Sequence, residues 1–406
     1  MKQHFIYLAI AATTLLSACS KDTTDNTSGA VPSVSGYVTE INSYGQPIPS
    51  FSVADMTEQG FEYADLLDVE IGDLTIHNMP YLTSFNEMAI LTPAFVDYNA
   101  KGTDYGFGMS NGDFHYFIGG NKDDKVTITL AKKGGYKETY DLMKSIYSLD
   151  RQPGETAEEY ANFRMITTTG VAPKVLYRSS NPLNCSSNPN RYAVVDSLAQ
   201  TVGIKTEIDL ADTDEKIKKY MATAGYASTY APALFNAGNT IACGMSSNTF
   251  CDDFKEKLGK AAKFMIEHEP PYLIHCNEGK DRCGAVSMIF EALAGATFEE
   301  MRRDYMVTLL NFYKIEDGGA AYQMRQSLSI DRMISFTFDE KAFANYSSLN
   351  WNGIDLANID WASLGLDTDK LKTIDFKQAA RNYLKGCGLT DAECDTLYKI
   401  ITTGSK

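Results

Sequence analysis

Histidine is scarce in this chain. Its 406 residues include only five, at positions 4, 77, 115, 268 and 275, and none has His-x-x-x-His spacing. Catalytic zinc centres draw on imidazoles placed in that way, so the sequence points to no metal and no cofactor. Positive charge is also short: 37 Lys and Arg stand against 52 Asp and Glu, for a formal net charge of -15. That balance argues against nucleic acid as a partner and against broad adhesion to anionic lipid. An anionic substrate has to be attracted locally, by a few cations set in an acidic surface. Long apolar runs are missing beyond the N-terminus, so no later segment is read as a membrane-spanning helix. Internal repeats are absent too.

The one apolar run, from Phe5 to Leu16, follows Lys2 and leads into Ser17-Ala18-Cys19. At roughly a dozen residues it is too short for an ordinary transmembrane helix and reads as an export signal. Leu16-Ser17-Ala18-Cys19 resembles the lipobox of bacterial lipoproteins, which implies a signal peptide over residues 1–19 and lipidation of Cys19. Residues 20–34, rich in Ser, Thr, Asp and Asn, read as a flexible tether. The expected location is the cell envelope, with the membrane reached through the N-terminal lipid alone. An oxidising compartment permits disulfides, and Cys243 with Cys251 and Cys387 with Cys394 are the candidate pairs. Buried free thiols are the alternative.

Between residues 35 and 132, Tyr, Phe, Val, Ile and Thr recur in short alternating runs (35–40, 73–77, 125–130) broken by Gly, Asn, Pro and Asp. Period-two patterning of this kind predicts a small antiparallel β domain, with a packing or presenting role. From 135 to 406 the texture is that of an α/β domain. Helical periodicity is read near 136–147, 155–165, 191–201, 213–224, 251–267, 283–294 and 297–313, the last opened by a Thr297-x-x-Glu300 capping box. Strands are read at 174–180, 203–210 and 271–274. Strands alternating with helices imply a mainly parallel sheet flanked by helices. An irregular stretch after 345 holds both tryptophans, Trp351 and Trp361, and two terminal helices close the chain.

The chemistry lies in residues 271–284. Apolar Tyr272-Leu273-Ile274 ends at His275-Cys276, five residues (Asn277-Glu278-Gly279-Lys280-Asp281) separate Cys276 from Arg282, and Cys283-Gly284 begin an apolar segment. This spacing suits a strand, a tight anion-binding loop and the first turn of a helix. Backbone N–H groups and the positive helix end would surround the Cys276 sulfur and favour its thiolate. The same N–H groups would bind phosphate oxygens while Arg282 grips two of them with its planar fork. Gly279 supplies the conformational freedom such a loop needs. Nothing in this scheme calls for a metal.

His-Cys-x-x-Gly-Lys-Asp-Arg resembles the signature loop of cysteine-dependent protein tyrosine phosphatases, in a bacterial secreted branch similar to dual-specificity and phosphoinositide phosphatases. Leu176-Tyr177-Arg178-Ser179-Ser180, the run from Gly203 to Leu210, and Asp304-Tyr305-Met306 resemble further motifs of that branch, although Ala211 stands where it usually has arginine. The resemblance covers roughly residues 150–315. It implies Cys276 as nucleophile, Arg282 as phosphate clamp, and His275 as the residue that orients the loop and helps keep Cys276 ionised. Asp281, Asp209 and Asp212 are candidates for the general acid, in that order. Asn277, Glu278, Gly279, Lys280, Cys283 and Arg178 are the expected substrate-binding residues, with Lys280 either solvated or a second cation for multiply phosphorylated head groups. Cys283 replaces the usual Ser or Thr, a weaker donor that implies slow hydrolysis of a phosphocysteine or a reversible disulfide with Cys276. The implied activity is phosphomonoester hydrolysis, with phosphotyrosine on a protein as the leading substrate. A phosphoinositide or inositol-polyphosphate phosphatase and a catalytically weak phospho-ligand binding protein are the alternatives.

Overall fold

Alternating β-branched and aromatic residues shape the first third of the chain. In the computed structural model, which describes residues 30–144, 150–187, 189–361, 364 and 366–406, they form most of an eight-stranded sheet. Its strands are Ser33–Ile41, Pro47–Pro49, Leu66–Ile71, Leu74–Leu82, Pro93–Asp97, Tyr105–Met109 and Lys125–Lys132, joined by the short Ile354–Asp355. Most pairings are antiparallel, as expected. Leu74–Leu82 and Pro93–Asp97 instead run parallel, because the connection through the turn Phe85–Glu87 brings the chain back in its original direction. The export signal, Cys19 and residues 20–29 of the expected tether lie outside the described residues, and its last two residues, Ser33 and Val34, already belong to the first strand.

The second sheet has five strands, in the order Thr240–Ala242, Thr206–Asp209, Tyr272–His275, Leu176–Ser179, Arg164–Met165. Four of them are parallel and the edge strand Arg164–Met165 is antiparallel. That edge departs from the helix read over 155–165. The helix there ends at Ala161, because Asn162 takes a left-handed conformation (φ 48°) that stops the helix and redirects the chain into the sheet. The three central strands are buried on both faces, as helix-covered parallel strands are, and they carry Arg178, Glu207, Asp209 and His275 into the interior. The helix Asp281–Ala294 passes through the core: every residue from Cys283 to Ala294 is buried. It packs against the helices Phe298–Tyr313, Phe376–Gly386 and Asp391–Thr403.

Pro32 to Lys406 form one compact unit. The boundary read at 132–135 therefore separates two sheets that share one hydrophobic core. The joint is a segment with no readable pattern, residues 313–365, which holds the helices Ala320–Arg325, Asp331–Phe338 and Glu340–Ser347. These pack on the first sheet: Arg332 donates to the Ile90 carbonyl at 3.3 Å and to Thr92 Oγ1 at 3.0 Å, and the Phe117 and Tyr346 rings meet edge to face at 5.5 Å. The buried Tyr346 hydroxyl donates to the Leu91 carbonyl at 2.8 Å. Removing it leaves a buried carbonyl one donor short, which costs about 1 kcal/mol or somewhat more. Tyr346→Phe should lower the unfolding free energy by that amount, seen as a lower urea midpoint at unchanged m, while fluorescence and circular dichroism still report one transition. Two separated transitions in the parent protein would show that the sheets unfold independently.

Candidate active site

The carboxyl ends of three parallel strands converge on one point, where open α/β sheets place their ligands. Register sets Asp209 beside His275 and His275 beside Ser179. Directly after His275 the chain makes the loop 276–280 and enters the helix Asp281–Ala294. Cys276 is 3% exposed, while Asn277, Glu278, Asp281 and Arg282 around it are partly exposed.

Donors behind the loop fix its shape. Asn181 N–H donates to the Asn277 carbonyl at 3.3 Å, Asn162 Nδ2 to that of Glu278 at 3.0 Å, and Arg178 Nη2 to those of Gly279 at 2.8 Å and Lys280 at 3.4 Å. Thr308 Oγ1 adds a longer contact to Gly279 at 3.4 Å. A trans peptide points its N–H opposite to its carbonyl. Four carbonyls held outward therefore turn the N–H groups of Glu278, Gly279, Lys280 and Asp281 towards the loop interior. The unpaired N–H groups of the helix's first turn point the same way, with the positive end of its dipole. Gly279 has φ +75°, and a Cβ there would lie 2.4 Å from the Ser179 carbonyl oxygen. Only glycine fits both the conformation and the space.

Arg178, expected among the substrate-binding residues, is 1% exposed and lies behind the loop. Its Nη1 pairs with Asp304 Oδ2 at 2.5 Å, and Arg164 takes the other carboxylate oxygen at 2.8 Å. Burial works against ionising Asp304, but the Arg164 and Arg178 charges win and hold its pKa near about 2. This corrects the sequence reading: a guanidinium committed to Asp304 and to loop carbonyls shapes the loop from behind. Lys280 is likewise not solvated. Its ammonium contacts Asn86 Oδ1, lies 3.3 Å from Asp281 Oδ2 and sits 5.3 Å from the Tyr313 ring centroid. Glu278 accepts from the Tyr313 hydroxyl at 2.5 Å. Arg282 donates through Nη1 to the Met245 carbonyl at 2.9 Å, its one hydrogen bond among the described residues.

The three aspartates differ in access. Asp209 is fully buried and its Oδ1 accepts from the N–H groups of Ala211 (2.8 Å) and Asp212 (3.1 Å); burial pushes its pKa up to about 6. Asp212 is buried as well, held by Asn181 Nδ2 at 2.8 Å and the Tyr220 hydroxyl at 3.1 Å, and burial followed by the charge of Asp209 raises its pKa. Asp281 keeps 31% of its side chain exposed and accepts from the Tyr305 hydroxyl at 3.2 Å. Cys283 is buried, which pushes its thiol up to about 11, and its Sγ donates to the Ile274 carbonyl at 3.3 Å. All seven described cysteines are free thiols, including both candidate pairs. Among the described residues, no group of three or more His, Cys, Asp or Glu side chains is arranged to hold a metal.

The sequence reading missed Asn86, Asn162, Asn181, Thr308 and Tyr313, brought to the loop from four separate segments, the last two on the helix Phe298–Tyr313. Single Asn and Thr residues carry no local signal of such a role. His275 also differs from expectation. It is fully buried, neither ring nitrogen has a partner among the described residues, and Asp209 Oδ1 is 3.9 Å away. Burial pushes its pKa down to about 3 against the pull of Asp212, so the imidazole is neutral and lends Cys276 no positive charge.

Below the ordinary value of 6.5 the unfolded chain takes up a proton at His275 that the folded chain refuses until about 3. The stability from this neutral imidazole is thus complete above pH 6.5 and lost as pH falls towards 3. Asp209 acts oppositely: its contribution is full below 3.8 and lost as pH rises through about 6. Urea unfolding of His275→Gln should therefore show a flatter decline between pH 6.5 and 4.5 than the parent. Equal slopes would remove His275 as a cause of the acid sensitivity.

A model of the tyrosine phosphatase family matches residues 157–403, more than half of the chain and all of the second sheet, the loop and the terminal helices. A search of curated proteins found no match. Among solved structures, the core catalytic domain of the PP-IP phosphatase SIW14 from S. cerevisiae, in complex with citrate, is similar at 21% identity. The match covers 46% of this chain and 100% of that one, with a TM-score of 0.24. The family match spans the segments that build the Cys276 loop, and the chain belongs to the tyrosine phosphatase family.

Proposed function

We propose that this phosphatase hydrolyses phosphate monoesters through a thiolate at Cys276, with protein phosphotyrosine as the leading substrate. One observation carries the reading: the carbonyls of residues 277–280 are held outward by Asn181, Asn162, Arg178 and Thr308, so a ring of N–H groups faces the loop interior beside Cys276. Such a ring stabilises a thiolate before substrate arrives and phosphate oxygens afterwards. Arg282, anchored through one nitrogen, offers the rest of its fork to two of those oxygens.

In the first step the sulfur lone pair attacks phosphorus, the ester P–O bond breaks, and the departing oxygen takes a proton from Asp281. Asp281 is chosen over Asp209 and Asp212 because it alone of the three is partly exposed. In the second step water attacks phosphorus, gives its proton to the Asp281 carboxylate, and the P–S bond breaks to return the thiolate and free phosphate. The Cys283 thiol donates to the Ile274 carbonyl, which leaves the departing sulfur without that neighbour's help and favours a slow second step. The inositol-polyphosphate alternative drew on Lys280 as a second cation, and that ammonium is engaged by Asn86 and Asp281. The same proposal puts this activity at the cell envelope on a lipid anchor, a reading supported by the N-terminal run ending at Cys19.

A phosphate-release panel of phosphotyrosyl peptide, phosphoseryl peptide, phosphoinositide and inositol hexakisphosphate tests this reading. The phosphotyrosyl peptide should give the highest rate, Cys276→Ser none above background, and Arg282→Lys a loss of about a hundredfold or more. Release by Cys276→Ser at the parent rate would sink the thiolate mechanism. Rapid mixing with an aryl phosphate should show a burst of about one phenol per enzyme before a slower steady state. A linear trace from the first turnover would show that hydrolysis of the intermediate is not limiting.

A further inference from the structure

The first sheet reaches the loop through the Asn86 side chain. Asn86 lies in the turn Phe85–Glu87, whose backbone is pinned from both sides. Glu87 accepts from the Thr83 N–H at 2.8 Å, the Thr83 hydroxyl at 2.7 Å and the Ser84 N–H at 3.0 Å. The Asn86 carbonyl accepts from Arg325 Nη1 at 3.3 Å. The amide then bridges two groups of the second half of the molecule: Oδ1 accepts from the Lys280 ammonium, and Nδ2 donates to the Tyr313 hydroxyl at 3.1 Å. Tyr313 in turn donates to Glu278, so Asn86 touches the loop at two positions, once directly and once through the phenol.

Lysine carries a compact charge on a flexible four-carbon stem and can redirect it over several ångströms. Here the Lys280 side chain is 8% exposed. Its ammonium is held against the first sheet by a neutral amide oxygen, with the Tyr313 ring and Asp281 completing its surroundings. Without the amide, the same stem can swing the charge to the rim of the loop, where Asn277, Glu278 and Arg282 are partly exposed. A rim cation adds nothing for a substrate with one phosphate already gripped by Arg282. For a substrate with neighbouring phosphates it adds a charge-assisted hydrogen bond.

We propose that Asn86 is a specificity-determining positioning residue: by holding the Lys280 ammonium on the first sheet it keeps a second cation out of the pocket mouth and selects singly phosphorylated esters. The inference rests on the phosphatase reading for its meaning but has a binding readout that does not need turnover. In a Cys276→Ser background, titration calorimetry with inositol hexakisphosphate should show about tenfold tighter binding for Asn86→Ala, the size of one charge-assisted contact. Asn86→Asp, which retains the ammonium with a carboxylate, should restore the parent affinity. In Lys280→Met protein the Asn86→Ala change should have no effect. With Cys276 intact, the kcat/KM ratio of inositol hexakisphosphate to phosphotyrosyl peptide should rise by the same factor in Asn86→Ala, mainly through KM. An unchanged affinity in Asn86→Ala, or a gain that persists in Lys280→Met, overturns the inference. Tighter binding with no phosphate release by any form leaves the inference standing and defeats the hydrolytic reading.

Discussion

The buried guanidinium of Arg178 is the constraint on which the loop depends. It joins the Asp304 carboxylate to the carbonyls of Gly279 and Lys280, with Arg164 on the far side of the same carboxylate. Removing either partner of a buried pair leaves an uncompensated charge, at about 3–5 kcal/mol. The pair is therefore weak as a source of net stability and strong as a determinant of shape. Because Arg178 occupies the carbonyls from behind, the N–H groups of the same peptides can only face forward. The forward orientation of those N–H groups thus originates in a strand and a helix behind the loop, through Arg178 and Asp304.

Around that centre the charges are sorted by access. Asp304, supported by two arginines, stays ionised, whereas Asp209 and His275 are pushed by burial towards their neutral forms. Desolvation opposes the charged state of any group, and a close opposite charge or hydrogen bonds to the charged form must outweigh it. Asp209 closes a turn with its own backbone, and Asp212 ties Asn181 to Tyr220. Asp281 remains as the carboxylate with a way to solvent.

The first sheet is part of the architecture around the Cys276 loop. Helices between Ala320 and Ser347 lie on it and share its core, and Arg325 at the end of the first of them holds the Asn86 carbonyl. A layer that alternation alone identifies as packing thereby supplies a side chain to the loop. Long-range pairing brings this about: 194 residues separate Asn86 from Lys280.

Residues 271–284 could be read because strand, loop and helix are contiguous there, and local spacing fixes local geometry. Cys276, Gly279 and Arg282 follow from that stretch; elsewhere the capping box at Thr297 and the parallel order implied by alternating strands and helices were equally local signals. The helices between 320 and 347 were not legible, since nothing in their sequence says which sheet they cover. Arg178 looked like a ligand-binding residue until its neighbours were known, and Lys280 like a solvated or substrate-facing cation. Sequence alone determined which residues form the loop and its helix. Only the tertiary structure decided which way the peptides face, which aspartate meets solvent and where the lysine charge rests. Each of those outcomes depends on desolvation and on partners from distant segments, quantities that no local pattern encodes.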